Sequence, residues 1–156
     1  AIFFDPTGKT GKPGERDAVA SAMDWLPTLL DIVGVAGAEL DKFDGRSLVA
    51  VLADMEEPSP HDSLYWQLGN DPKLAPWAVR AGDWKLLGNV YETKPPPGVL
   101  ALNEADRNLF LVNLQSDPSE RQNLAGSRVS KAEELLAIRE RFLRSLQNSI
   151  GDLSND

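Results

Sequence analysis

The chain has 156 residues, of which 42% are hydrophobic and 26% charged, a composition and length typical of one globular domain. Its 16 Lys and Arg against 24 Asp and Glu leave a net charge of −8, which argues against a broad nucleic-acid interface and against docking on an anionic membrane. The sequence contains no Cys, so disulfides, thiolate zinc sites and a Cys nucleophile are excluded from these residues.

The first residues predict a short buried strand followed by a loop. Residues 2–4 are apolar, and the three glycines and one proline of residues 7–14 favour an irregular segment. The Gly-Lys-Thr triplet at residues 8–10 is not a phosphate-binding loop, because Phe3 stands where that motif requires its first glycine. A small basic cluster follows, made of Lys9, Lys12 and Arg16. It is either an anion-binding site or a set of solvated loop residues.

The next segment carries the start and stop signals of a helix. Residues 24–34 have Asp24 at the N-cap, a proline in the first turn and a glycine after the last apolar residue. Ser47 is predicted to cap a second, short helix that runs to residue 52. The polar, proline-rich residues 56–60 are predicted to form a connector.

The middle of the chain predicts an antiparallel sheet. Residues 64–68 are rich in strand formers, and residues 77–80 and 84–87 flank a glycine-containing connection of hairpin length. Residues 88–107 show no regular period and predict a long loop. Residues 108–114 are nearly all apolar, which predicts a strand at the centre of the sheet.

The clearest periodic pattern lies near the end of the chain. Residues 130–133 fit a capping box with Ser130 as the N-cap, and the tail from residue 151 is predicted to fray. One apolar stripe follows helical spacing: Leu135, Ile138, Phe142, Leu146 and Ile150. An amphipathic helix of this kind packs on an antiparallel sheet, so the predicted fold class is α+β.

The chemically versatile side chains do not form a self-sufficient catalytic set. His61 is the only histidine, and Asp62 is its only partner at short spacing, so His61 is interpreted as a loop residue. No carboxylate pair stands in an apolar context that would separate two pKa values for acid–base work. Four aromatic residues leave two alternatives open, a sugar-stacking surface or, more commonly, core beneath a helix: Trp25, Trp66, Trp77 and Trp84.

Five segments match, in order and spacing, the motifs of one known family. Residues 24–34 resemble its D-x-x-P-T-L-L-D-L-A-G helix, and residues 44–48 its D-G-x-S-L turn. Residues 64–67 and 78–86 resemble its L-F-W-E strand and its A-V-R-x-G-x-W-K-L hairpin. Residues 109–125 resemble the L-Y-x-L-x-x-D-P-x-E-x-x-N-L-A stretch before the terminal helix. The chain thus resembles the C-terminal portion of a sulfatase, in the alkaline-phosphatase superfamily.

This resemblance implies a division of the chain and a partner. Residues 1–48 would be the end of an α/β catalytic domain, including its trailing strand and helix. Residues 49–156 would be a C-terminal α+β subdomain, with a four-stranded antiparallel sheet packed against an amphipathic helix. The partner would be the missing N-terminal catalytic domain of the same protein, and the fragment alone is expected to be inactive.

The resemblance also implies chemistry that these residues do not carry. In the family a formylglycine, made from a Cys or Ser, attacks sulfur, while a divalent cation of the calcium type stabilises the developing charge. The nucleophile motif and the cation ligands lie upstream in the family. No catalytic or metal-ligating residue is therefore carried over to this sequence.

Two residues are candidate substrate-binding groups by the same resemblance, Gln67 and Asn70. Many members read W-E-H after the aromatic strand, where this sequence has Gln67 and Leu68. Relatives place this strand and its neighbouring loops near the substrate pocket, so the expected ligand is a sulfated small molecule or sugar. The alternative is that both are simply polar residues at a sheet edge.

Other functions remain open at this stage. The parent protein could instead hydrolyse phosphodiesters or phosphonate esters, or the chain could be a non-catalytic carbohydrate-binding or assembly module. Apolar surface that normally packs on a missing domain would favour self-association of the fragment. The compartment, cytoplasmic or periplasmic and secreted, is not encoded in these residues.

Overall fold

The computed structural model of the chain describes residues 8, 14–35, 39–54, 56–90 and 102–153, with only the backbone for residues 149–153. The predicted strand at residues 2–4 and most of the loop that follows it lie outside the described residues. Two compact units divide the chain, Ala1–Asp62 and Ser63–Asp156, and the connector predicted at residues 56–60 lies just before their boundary. The division between residues 48 and 49 that the resemblance implies stays a prediction.

The described residues of the first unit include the two helices that the sequence predicts. Helix α1 (Trp25–Val33) follows a 3₁₀ turn, Ala22–Asp24, which places Asp24 at its N-cap position. Gly34 ends α1 in the left-handed conformation (φ 67°), which glycine adopts without steric cost. A second 3₁₀ turn, Leu40–Lys42, precedes the short helix α2 (Val49–Ala53).

The second unit is a four-stranded antiparallel sheet with helices. Its strands lie in the order in which they occur along the chain: β1 (Leu64–Gln67), β2 (Trp77–Ala81), β3 (Trp84–Gly88) and β4 (Leu109–Asn113). Helix α3 (Glu104–Asn108) precedes β4, and helix α4 (Val129–Leu153) follows it. The predicted α+β class, the hairpin and the terminal helix are confirmed.

The core of the second unit lies between the sheet and α4. Val79, Leu86 and Leu111 come from three adjacent strands, share one face of the sheet and are fully buried. They pack with residues of the predicted α4 stripe, including Leu135 and Ile138. Burial of this apolar surface, at roughly 25 cal/mol per Å², is the main force that holds α4 on the sheet.

Strand β4 is at the edge of the sheet, so the prediction of a central position is wrong. Its free side is covered by the segment after it: the Leu111 N–H donates to Asn123 Oδ1 (3.0 Å), and the Leu124 N–H donates to the Leu111 carbonyl (2.8 Å). Phe110 and Val112, on the opposite face from Leu111, are also buried. The apolar run therefore reflects burial of both faces, which an edge strand can also have when other segments cover it.

Both predicted ends of α4 and the predicted loop before β4 need correction. Helix α4 begins at Val129, because the Arg128 carbonyl accepts from the N–H groups of Lys131 (3.0 Å) and Ala132 (3.1 Å), so Ser130 is not the N-cap. Its backbone continues to Leu153, beyond the predicted fraying point at residue 151. The predicted loop at residues 88–107 also contains most of α3.

None of the helices in the described part of the chain is both long enough and apolar enough to span a membrane.

Candidate functional site

Three polar side chains on one face of α1 hold the segment that follows the Asp44-Gly45 turn. They are spaced at i, i+4 and i+7: Asp24, Thr28 and Asp31. Asp24 Oδ1 accepts from the Arg46 N–H (2.8 Å), and Thr28 Oγ1 accepts from the Leu48 N–H (2.9 Å). Asp31 Oδ2 accepts from the Ser47 hydroxyl (2.6 Å). The two motifs at residues 24–34 and 44–48 are thus one hydrogen-bonded structural unit.

The Asp24 carboxylate is the most constrained of these groups. It is fully buried and also accepts from the Ser21 N–H (2.6 Å) and His61 Nε2 (2.8 Å). Burial raises the pKa of the Asp24 carboxyl, but the hydrogen bonds from Arg46, Ser21 and His61 outweigh burial and hold that pKa below its ordinary value of 3.8. The carboxylate therefore stays ionised and joins three separate segments of the first unit.

His61 lies outside the helices and strands, as interpreted, but it has a partner that the sequence did not indicate. Its side chain is only 8% exposed, and its partner is Asp24, 37 residues upstream, rather than the adjacent Asp62. The connector is held in place further by Ser59, whose hydroxyl donates to the Val19 carbonyl (2.9 Å). The hydrogen bond between His61 and Asp24 thus holds the connector against the start of α1. The spacing of the polar residues Asp24, Thr28 and Asp31 along α1 is a sequence signal that could have found part of this cluster.

The predicted substrate-binding residues lie together at the end of β1. Gln67 is half-buried, and its amide is held within the turn: Oε1 accepts from the Tyr65 hydroxyl (2.5 Å), and Nε2 donates to the Gly69 carbonyl (2.7 Å). Burial raises the pKa of the Tyr65 hydroxyl, so this donor keeps its proton. Asn70 is exposed. Substrate binding by either residue stays a prediction.

An apolar groove adjoins this turn, at the end of the sheet where β1 and β3 stop and β2 begins. This strand-end groove has a volume of about 570 Å³. Its apolar lining comes from six residues: Leu68, Leu74, Pro76, Trp77, Leu87 and Val90. Nothing in the sequence pattern indicated it, because its walls come from strand ends and a loop that only the fold brings together.

The loop that forms one wall of the groove is fixed by side chains from other elements. Asn89 Nδ2 donates to the carbonyls of Lys73 (2.8 Å) and Ala75 (3.1 Å). From α4, Arg139 Nη2 donates to the Pro72 carbonyl (2.5 Å), and the Arg139 guanidinium lies 4.5 Å from the centre of the Trp77 ring. This cation–π contact and these hydrogen bonds stabilise the backbone of the loop.

The tryptophans divide between core and surface. Trp77 is buried in the core of the second unit, and Trp84 packs against that core, so the core interpretation is confirmed for these two. Trp66 is 41% exposed, on the opposite face of the sheet from Trp77. Trp25 is half-buried at the start of α1.

The described residues do not fit the divalent cation that the resemblance implies. Within those ranges, no three His, Asp or Glu side chains come together in a group that could hold a metal ion. No step of the chemistry is therefore assigned to a metal held by this part of the chain.

Two of the curated proteins that the chain resembles are sulfatases by name. The chain is 32% identical over 133 residues to Arylsulfatase A of Bos taurus, which covers 80% of the chain and 26% of the relative. It is 40% identical over 55 residues to Uncharacterized sulfatase YdeN of Escherichia coli K12, covering 35% of the chain and 10% of the relative. The matched residues thus span 26% of the length of Arylsulfatase A and 10% of the length of YdeN. No protein-family model matches it.

Solved structures share the fold. A putative sulfatase from Bacteroides thetaiotaomicron superposes with a TM-score of 0.51 at 22% identity, over 85% of this chain and 26% of that one. A second protein, solved in complex with its substrate D-glucosamine-2-N,6-O-disulfate, superposes with a TM-score of 0.53 at 21% identity. The superposition covers 84% of this chain and 26% of the chain of that protein. At these identities the likeness establishes the fold alone.

Proposed function

We propose that this chain, a relative of the sulfatases over their C-terminal portion, forms one wall of the substrate cleft in an enzyme that hydrolyses sulfate esters. The observation that carries the proposal is the 32% identity to Arylsulfatase A over 133 residues. The nucleophile, the formylglycine it becomes and the calcium-type cation would belong to the remaining part of the parent protein. The 156 residues alone are then inactive.

The hydrogen bonding of the first unit supports this division of labour. The two motifs that carry the resemblance there, at residues 24–34 and 44–48, bind each other through backbone amides and buried side chains. Their polar groups are therefore engaged in holding the fold, and this agrees with chemistry supplied from outside the chain.

The experiment that tests the function is a hydrolysis assay on the longer gene product that contains this chain. We expect cation-dependent release of sulfate from 4-nitrophenyl sulfate, with bis(4-nitrophenyl) phosphate and a phosphonate ester as competing substrates. Faster hydrolysis of a phosphorus ester would favour the phosphodiester or phosphonate alternative. Hydrolysis of none of them, with retained sugar binding, would favour a non-catalytic carbohydrate-binding module.

An apolar stripe on α1 supports a contact with the missing part of the parent. Leu26, Leu29 and Val33 follow helical spacing and are 53%, 47% and 66% exposed. We propose that this stripe packs on the N-terminal catalytic part of the same protein. Without that part, we expect the isolated chain to self-associate as its concentration rises, since exposed apolar patches favour association. Sedimentation velocity tests this, and a monomer at every concentration would contradict it.

Gln67 is proposed to position the turn that carries Asn70, and Asn70 to contact the substrate. In the parent enzyme, we expect Gln67→Ala to lower kcat/KM for the sulfate ester about threefold to tenfold, because one hydrogen bond to the Gly69 carbonyl and one from the Tyr65 hydroxyl are lost. Steady-state kinetics measures the change.

The matched control for this variant is Gln115→Ala, which removes an exposed glutamine side chain from the turn after β4. It should leave kcat/KM unchanged. Equal kinetics for the Gln67 variant and the wild type would remove the proposed role of this turn.

A further inference from the structure

The strand-end groove is a concave surface of the size that proteins use for small ligands. Its volume of about 570 Å³ falls within the roughly 300–1,000 Å³ of small-molecule sites. Leu68 and Leu74 on its walls are each 77% exposed and lie in the same concavity. Exposed apolar side chains that converge on one concavity indicate a binding surface.

The lining excludes a strongly polar ligand. Among the described residues that line the groove, none is charged. The Asn89 side chain lies among them, and its Nδ2 donates to the loop carbonyls of Lys73 and Ala75. Sugar hydroxyls placed against the leucine, proline and tryptophan walls would lose hydrogen bonds to water, at about 1–3 kcal/mol for each unpaired group.

The groove is held open by contacts that do not involve a ligand. The Leu68 N–H donates to the Pro76 carbonyl (2.9 Å), and the Ala75 N–H donates to the Asp71 carbonyl (2.8 Å), so both sides of the loop are tied to each other. Arg139 fixes both the Pro72 carbonyl and the Trp77 ring. A rigid, preformed apolar wall lowers the entropic cost of binding.

We propose that the strand-end groove binds the uncharged hydrocarbon part of the substrate's alcohol, an aromatic or aliphatic ring system, while the sulfate lies towards Asn70. Asn70 follows the groove residue Leu68 by two positions in the turn after β1, which is why the sulfate is assigned to that side. The position of the sulfate rests on the proposed function, whereas hydrocarbon binding does not. The proposed occupant is thus a small apolar group rather than a sugar.

The test uses the ¹⁵N-labelled 156-residue chain and 4-methylumbelliferone, a fused-ring alcohol without sulfate. We expect saturable NMR shifts of the Trp77 indole N–H and the Leu68 and Leu74 amides. Leu74→Ser should weaken binding about fivefold, because one apolar contact of roughly 40 Å² is lost. Leu146→Ser, at a leucine that is 49% exposed on α4 and outside the groove, is the matched control and should bind as the wild type does.

The outcomes separate the groove from the proposed function. Absent shifts, equal weakening by both serine variants, or equal shifts with glucosamine 6-sulfate would overturn the groove proposal. Shifts of the same residues on raising the protein concentration without ligand would overturn it too, since a second copy would then be the occupant. If 4-methylumbelliferyl sulfate binds without a further shift at Asn70, the groove stands and the assigned sulfate position fails.

Discussion

Asp24→Ala is expected to lower the free energy of unfolding of the first unit by about 3 to 5 kcal/mol. The substitution leaves three donors without an acceptor: the N–H groups of Ser21 and Arg46, and Nε2 of His61. Each buried unpaired donor costs roughly 1–3 kcal/mol, and the contacts that join three segments are lost together. Hydrogen exchange of the α1 amides, read by mass spectrometry, reports the local loss of stability.

Acid adds a readout that a general packing defect would not give. The folded pKa of Asp24 is lowered, so the stability it contributes is complete above the ordinary value of 3.8 and is lost as the pH falls through the lowered pKa. We expect this part of the acid destabilisation in the wild type and not in the Asp24 variant. Asp41→Ala, at an exposed aspartate, is the control and should keep the wild-type stability and pH profile. Identical acid profiles for all three proteins would contradict the role of Asp24.

Gly88→Ala is expected to lower the free energy of unfolding of the second unit by about 2 to 3 kcal/mol. Gly88 pairs with Trp77 across β2 and β3, and a Cβ at Gly88 would overlap the Trp77 ring. The ring cannot simply turn away, because the Arg139 guanidinium lies against it at 4.5 Å. Urea unfolding followed by tryptophan fluorescence measures the change.

Gly126→Ala is the matched control for Gly88→Ala. A Cβ at Gly126 has no heavy atom within 4 Å, so this variant should be within about 0.5 kcal/mol of the wild type. Because Trp77 lines the strand-end groove, Gly88→Ala should also weaken binding of 4-methylumbelliferone. Equal stability of the two alanine variants would show that the Trp77 ring has room to move.

Much of the fold was predictable because its signals are local. The hairpin of β2 and β3 follows from alternating residues around a two-residue turn, and the presence of α4 follows from its apolar stripe. The position of β4 was not predictable in the same way, because Asn123 and Leu124 cover its edge from a segment without regular structure. An apolar run indicates burial of both faces, but it does not say what covers them.

In the candidate site, still more of the contacts join residues that are distant in the sequence, and local patterns do not predict such contacts. Gln67 and Asn70 could be placed at one strand end from their spacing, but the hydrogen bonds of Gln67 to Tyr65 and Gly69 depend on the turn geometry. The contact between Asp24 and His61 spans 37 residues, and no sequence period encodes such a distance. Arg139 and Trp77 likewise meet only because α4 packs on the sheet.

The most direct test of the central claim, that this chain is the C-terminal part of a sulfatase, is the intact mass of the full gene product, read against its coding frame. We expect an upstream extension that carries a Cys or Ser in the C/S-x-P-S-R motif, with aspartates before and after it. A mature protein that begins at Ala1, with nothing upstream except an initiator Met or a cleaved leader, would contradict the claim.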